Sequence, residues 1–114
     1  MRRVAALALL CLTLIACSRT PRAYVRMRNV GTQPVSEVEM NYGVMFGVSE
    51  LKTGEMRERY VPLNSAADLE LRFYDAYKQL HTSKGPHIEY HQSGVIEAQI
   101  GDGGQVKWQV TLKD

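Results

Sequence analysis

The C-terminal segment most constrains the fold: Val106, Trp108, Val110 and Leu112 alternate with Lys107, Gln109, Thr111 and Lys113. Successive side chains of a strand point to opposite faces, so this period-two pattern gives one apolar and one polar face. The pattern recurs upstream. Val25 and Met27 oppose Arg26 and Arg28 within 23–30; Val38, Met40 and Tyr42 oppose Glu37, Glu39 and Asn41 within 35–42. A short apolar run covers 44–48, and 56–63, 87–91 and 95–100 read as further strands. Turn residues separate them: Gly31–Pro34, Leu51–Glu55, Asn64–Ala67, Ser93–Gly94 and Gly101–Gly104, with His81–Pro86 as a polar loop. The glycines of 101–104 accept positive φ, which tight hairpins need. Many short strands between closely spaced turns predict an all-β fold, an antiparallel β-sandwich of about eight short strands.

Residues 68–80 fit two periods. As a strand, Leu69, Leu71 and Phe73 face inward and Tyr74 outward. As a helix, Leu69, Phe73, Ala76, Tyr77 and Leu80 form a stripe, with Asn64 or Ser65 as N-cap. The strand reading, through about Tyr74, is preferred.

The N-terminus carries a different signal. Arg2 and Arg3 precede an uncharged run, Val4–Ala16, and charge returns at Arg19. A basic start followed by a short apolar run is a secretory leader; a membrane span needs roughly 20 apolar residues. Leu14-Ile15-Ala16-Cys17 resembles the lipobox of bacterial lipoproteins. The resemblance implies cleavage between Ala16 and Cys17 and acylation of the Cys17 thiol, with palmitate-type chains. Two acyl chains anchor stably where one does not. The expected organisation is a leader at 1–16, a lipidated tether at 17–22 and a β-sandwich at 23–114. Ser18, where such lipoproteins carry Asp for inner-membrane retention, implies the outer membrane, facing the periplasm, in a Gram-negative cell, and the cell membrane in a Gram-positive one.

Without the leader, composition excludes some partners. Arg2 and Arg3 account for the whole formal charge of +2, so no basic excess favours nucleic acid. Arg19, Arg22, Arg26 and Arg28 lie close behind Cys17 and read as a solvated tether and strand face, with contact to anionic headgroups as the alternative. Cys11 leaves with the leader and Cys17 is acylated, so no disulfide is expected.

A second resemblance covers most of residues 24–112. Arg28-Asn29-Val30-Gly31, Val38 to Gly43, Leu51-Lys52-Thr53-Gly54-Glu55, and Ser93-Gly94 with the 101–104 hairpin resemble small envelope domains of immunoglobulin-like sandwich type. Antibody-type domains are not implied, because no Cys pair flanks the Trp.

Several groupings carry residue types suited to chemistry. His87, Glu89 and His91 would share one strand face, but the outer two would stand about 13 Å apart, too far to share one metal. A site would need ligands from another strand, and His81 is the only other histidine. The expectation is no metal and no cofactor. Asp102 alone is too few oxygens for calcium. Glu37 and Glu39 lie on a solvent face. Tyr42 and Trp108 read as core; Tyr60, Tyr74, Tyr77 and Tyr90 are further aromatics, of which Tyr74 faces outward as a contact residue. Arg57 and Arg59, on a strand that Pro62 marks as an edge, are the other expected partner contacts. The resulting expectation is a non-enzymatic, lipid-anchored binding or assembly module with an envelope protein partner. A small metal-dependent or hydrolytic enzyme using the histidines, and a purely structural envelope protein, are the alternatives.

Overall fold

The computed structural model describes residues 21–114. The leader, the lipobox residues and Cys17 lie outside the described residues, as does Arg19. The rest forms eight strands: β1 (Arg22–Asn29), β2 (Val35–Asn41), β3 (Met45–Leu51), β4 (Met56–Pro62), β5 (Ala67–Tyr74), β6 (Leu80–Ile88), β7 (Ser93–Ile100) and β8 (Val106–Lys113). They make two four-stranded sheets, in the orders β4-β1-β7-β8 and β3-β2-β5-β6. This is the all-β sandwich that the alternation predicts. Every pairing is antiparallel except β1 with β7, which is parallel.

The core lies between the sheets. Val25 and Met27 of β1 and Ile96, Ala98 and Ile100 of β7 face Val38 and Met40 of β2 and Leu69, Leu71 and Phe73 of β5, all buried. Truncating one of the larger ones to Ala would cost about 2–5 kcal/mol. Tyr42 is buried with them, and Trp108 packs half-buried against the cluster. β2 keeps its phase through a bulge: its pairing with β5 shifts between Ser36 and Glu39, and Glu37 takes φ 49. The extra residue lets Val35 and Val38 both face inward.

Residues 68–80 resolve as the strand. β5 ends at Tyr74, and Leu69, Leu71 and Phe73 point into the core. The expected loop at His81–Pro86 is instead most of β6. Its inward positions, His81, Ser83 and Gly85, are not apolar: Trp108 of β8 covers Ser83 and Gly85, and His81 lies on Phe73. The indole Nε1 donates to Ser83 Oγ at 3.1 Å. A Cβ on Gly85 would stand 2.7 Å from the ring, so glycine is what admits the Trp. Gly85 and Pro86 sit where the β5–β6 register shifts, a place that tolerates proline in an edge strand. Two further boundaries differ from expectation. β3 runs through Leu51, and the 87–91 segment leaves the sheet after Ile88, with His91 at φ 65 in a turn.

Strand directions sort the loops into two groups. The β1–β2, β3–β4, β5–β6 and β7–β8 connections lie at one end of the sandwich. The start of β1 and the β2–β3, β4–β5 and β6–β7 connections lie at the other.

Candidate functional site

A cleft of about 480 Å³ opens at the first end, between the β1–β2, β5–β6 and β7–β8 connections. Its walls include Thr32, Pro34, Phe73, Asp75, Tyr77, His81 and Asp102. Asp75 follows β5 and organises one wall. Its Oδ1 accepts the backbone N–H of Tyr77 at 2.8 Å and of Gln79 at 3.0 Å. This is the turn a short carboxylate side chain makes with its own backbone. Its Oδ2 accepts from His81 Nε2 at 2.8 Å. The His81 hydrogen bond, then the Gln79 N–H, hold the Asp75 carboxyl below its ordinary value. The His81 ring lies on Phe73, with centroids 5.3 Å apart and planes at 25°.

The opposite wall is tied across 70 residues. Asp102 Oδ1 accepts the Thr32 N–H at 2.8 Å, and its Oδ2 accepts the Thr32 hydroxyl at 2.9 Å. Those two bonds, the N–H first, lower the Asp102 pKa. Gly104 joins the two walls. It has φ 76, and a Cβ there would collide with Nδ1 of His81. Asn29 holds the cleft loop from behind. Buried at the end of β1, its Nδ2 donates to Gln33 O at 2.8 Å and Leu51 O at 3.0 Å, and its Oδ1 accepts the Gly31 N–H at 2.9 Å.

The polar side chains of these walls are largely partnered. His81 has Nε2 on Asp75 and Nδ1 against Gly104, and the Thr32 hydroxyl is committed to Asp102. The Thr32 hydroxyl and the His81 imidazole are thus each bonded to a carboxylate. What the cleft offers is preset: an aromatic at its rim, Tyr77, and two carboxylates with fixed donors.

The residues singled out from sequence are dispersed. His87 donates from Nδ1 to Asp68 at 2.7 Å and from Nε2 to Glu89 at 2.9 Å. These two bonds, Asp68 first, raise its pKa. His91 sits instead beside Tyr90, ring centroids 4.4 Å apart. Among the described residues, no group of three or more His, Cys, Asp or Glu is arranged to hold a metal ion. β4 is an edge strand, next to the β3 edge of the other sheet. Arg57 and Arg59 are at its inward-facing register positions, opposite Met27 and Val25. Arg59 lies over the Phe46 ring at 4.7 Å, and Arg57 pairs with Glu55 at 3.1 Å. Tyr74 is exposed at the end of β5 in the other sheet, so the three do not form one surface. Arg26 and Arg28 face outward, paired with Glu58 at 3.2 Å and Glu97 at 3.6 Å.

Sequence reading missed the Asp75–His81 pair, because its two members fell on either side of a strand-or-helix ambiguity and a supposed loop. Asp75 followed two residues later by Tyr77, in a polar stretch, was the available turn signal.

No protein-family model matches the sequence, and no curated protein matches it. Among solved structures, an NMR structure of a protein from Eubacterium rectale is similar, with a TM-score of 0.56 at 10% identity. The match covers 78% of this chain and 87% of that one. At that identity the likeness is one of fold.

Proposed function

We propose that the protein is a lipid-anchored envelope lipoprotein whose immunoglobulin-like sandwich is a non-enzymatic binding or assembly module. In this reading Cys17 is acylated after removal of residues 1–16, and the domain stands on the periplasmic face of the outer membrane. The observation that carries the reading is the opposition of the two ends. The chain enters the sandwich at Arg22, at the end opposite the cleft between Asp75, Tyr77 and Asp102. A tether at the end where β1 begins presents the cleft end to the periplasm. The cleft walls are held by hydrogen bonds within and between loops, so little ordering cost falls on binding.

The ligand is an envelope protein segment that places polar donors against the Asp75 and Asp102 carboxylates and an apolar group beside Tyr77. A strand added at β4 is a second route, since an exposed edge can recruit one. Arg59 over Phe46 and the inward placing of Arg57 argue for edge protection there.

The test is in-cell photocrosslinking of the full-length protein, tagged after Asp114, with a crosslinking amino acid at Tyr77 or, separately, at Arg57. One abundant adduct from position 77, absent in a Thr32→Ala, Asp75→Ala background, supports the cleft. An adduct from position 57 alone moves the contact to the edge. Cys17→Ser should release the folded domain from the membrane fraction; retention there would remove the anchor from the reading.

A further inference from the structure

The end of the sandwich opposite the cleft carries large apolar side chains that the core does not use. Val44 and Met45, in and after the β2–β3 connection, are 60% and 48% exposed. Tyr90, in the β6–β7 connection, is 51% exposed. On the outer face of the first sheet, Tyr60 and Tyr24 are 53% and 42% exposed and pack on each other, with centroids 4.6 Å apart. Arg22, the first residue of β1, lies over Tyr60 at 5.7 Å. Two loops and three strands thus bring three tyrosines, Val44, Met45 and an arginine to one end.

We infer that this end is a membrane-seating surface that rests on the phospholipid headgroup layer, with Val44, Met45 and Tyr90 at its tip and Tyr24, Tyr60 and Arg22 along its flank. The inference deepens the lipoprotein reading and rests on it. The occupant follows from chain length. Five residue steps separate Cys17 from Arg22, and an extended chain spans at most about 18 Å over that distance. An acylated Cys17 lies at the bilayer surface, so the start of β1 cannot stand further from it than that. The side chains suit that layer: tyrosine combines an apolar ring with a polar tip and is enriched at membrane interfaces. Arg22 adds a cation that anionic headgroups attract.

The charges at this end do not oppose the seat strongly. Asp68 and Glu89 lie at this end, and His87 sits between them, bonded to both. Lys113, the last residue of β8, adds a cation on this side.

Seating changes what the anchor does. A bare tether would let the domain tumble, whereas a second contact fixes its axis and points the cleft away from the bilayer. Avidity from acyl chains and surface together needs no strong contact from the surface alone.

The test uses the full-length lipoprotein in vesicles of phosphatidylethanolamine and phosphatidylglycerol, with an environment-sensitive fluorescent amino acid at position 44, 90 or 77. Intact mass first establishes whether Cys17 carries acyl chains. Lipids spin-labelled at the headgroup then act as quenchers. The expected result is several-fold stronger quenching at 44 and 90 than at 77. Equal quenching at all three positions in an acylated protein would overturn the seat and leave the anchor standing. Protection of 44 and 90 from aqueous iodide without quenching by the labelled lipid would mean protein covers this end, and would also overturn it. A mass without acyl chains would remove the anchor, and the seat with it.

Discussion

Replacing Asn29 by Ala is the sharpest probe of how the cleft is held. The side chain is buried and makes three hydrogen bonds, to Gln33 O, Leu51 O and the Gly31 N–H, at 2.8–3.0 Å. A typical bond of this kind nets about 1 kcal/mol, and a buried partner left unmade costs more. Three together give a loss of about 3 kcal/mol on Asn29→Ala. For a domain of this size that lowers Tm by about 12–24 °C. Urea unfolding followed by the fluorescence of Trp108, the only Trp, measures it, and far-UV dichroism tests that the transition is two-state. Asn29→Asp separates shape from bonding. It keeps the acceptor for Gly31 but exchanges two donors for a charge facing two carbonyls, so it should be at least as destabilising as Ala. A loss below about 0.5 kcal/mol in both variants would refute the argument that these bonds hold the loop. Hydrogen exchange at the Gly31 amide gives the local view: it should quicken in Asn29→Ala even under conditions where the domain stays folded.

Gly104→Ala should destabilise by more than about 1 kcal/mol, because it meets both a positive φ and the His81 ring; urea unfolding that matches the parent would contradict that. Asp75 has its pKa held below 3.8 in the folded state, so its contribution to stability is present above 3.8 and is lost as pH falls through the lower folded value. Its carboxyl resonance should titrate nearer 3.8 in His81→Gln, and an unchanged midpoint would discount the pair. His87 behaves with the opposite sign. Its pKa is raised above 6.5, so its contribution is present below 6.5 and disappears as pH rises through the folded value. Asp68→Asn with Glu89→Gln should return its ring titration toward 6.5; persistence of the raised value would show that other groups cause it.

The parts of the fold legible in the sequence are those where inward positions are filled by their own strand. β1, β2, β5, β7 and β8 announce themselves through Val25 and Met27, Val38 and Met40, Leu69 to Phe73, Ile96 to Ile100, and Val106 to Leu112. β6 does not, because Trp108 supplies the apolar volume that Ser83 and Gly85 lack and His81 is turned to Phe73 and Asp75. An edge strand roofed by a residue 25 positions away has no period to read. β3 was cut short for a related reason: Glu50 and its exposed neighbours belong to an edge, and the turn at Gly54 drew Leu51 away from its place in the core. The cleft was half legible. The 101–104 hairpin follows from its glycines, but its tie to Thr32 and the stacking of His81 on Phe73 are tertiary contacts between segments with no common pattern.

The parallel pairing of β1 with β7 has a consequence for how the chain can mature. β1 is an interior strand, flanked by β4 on one side and β7 on the other, and Ala23 finds its β7 partner only at Gly94. A growing or emerging chain therefore exposes its first strand long before the residues that cover one of its edges exist. Contacts so distant along the chain are slow to close. A polypeptide threaded outward from its N-terminus would stay extensible until almost all of it had passed, and then fold in a single late event. Truncation anywhere before residue 100 should yield no smaller domain, only an open sheet with β1 unsheltered along one side.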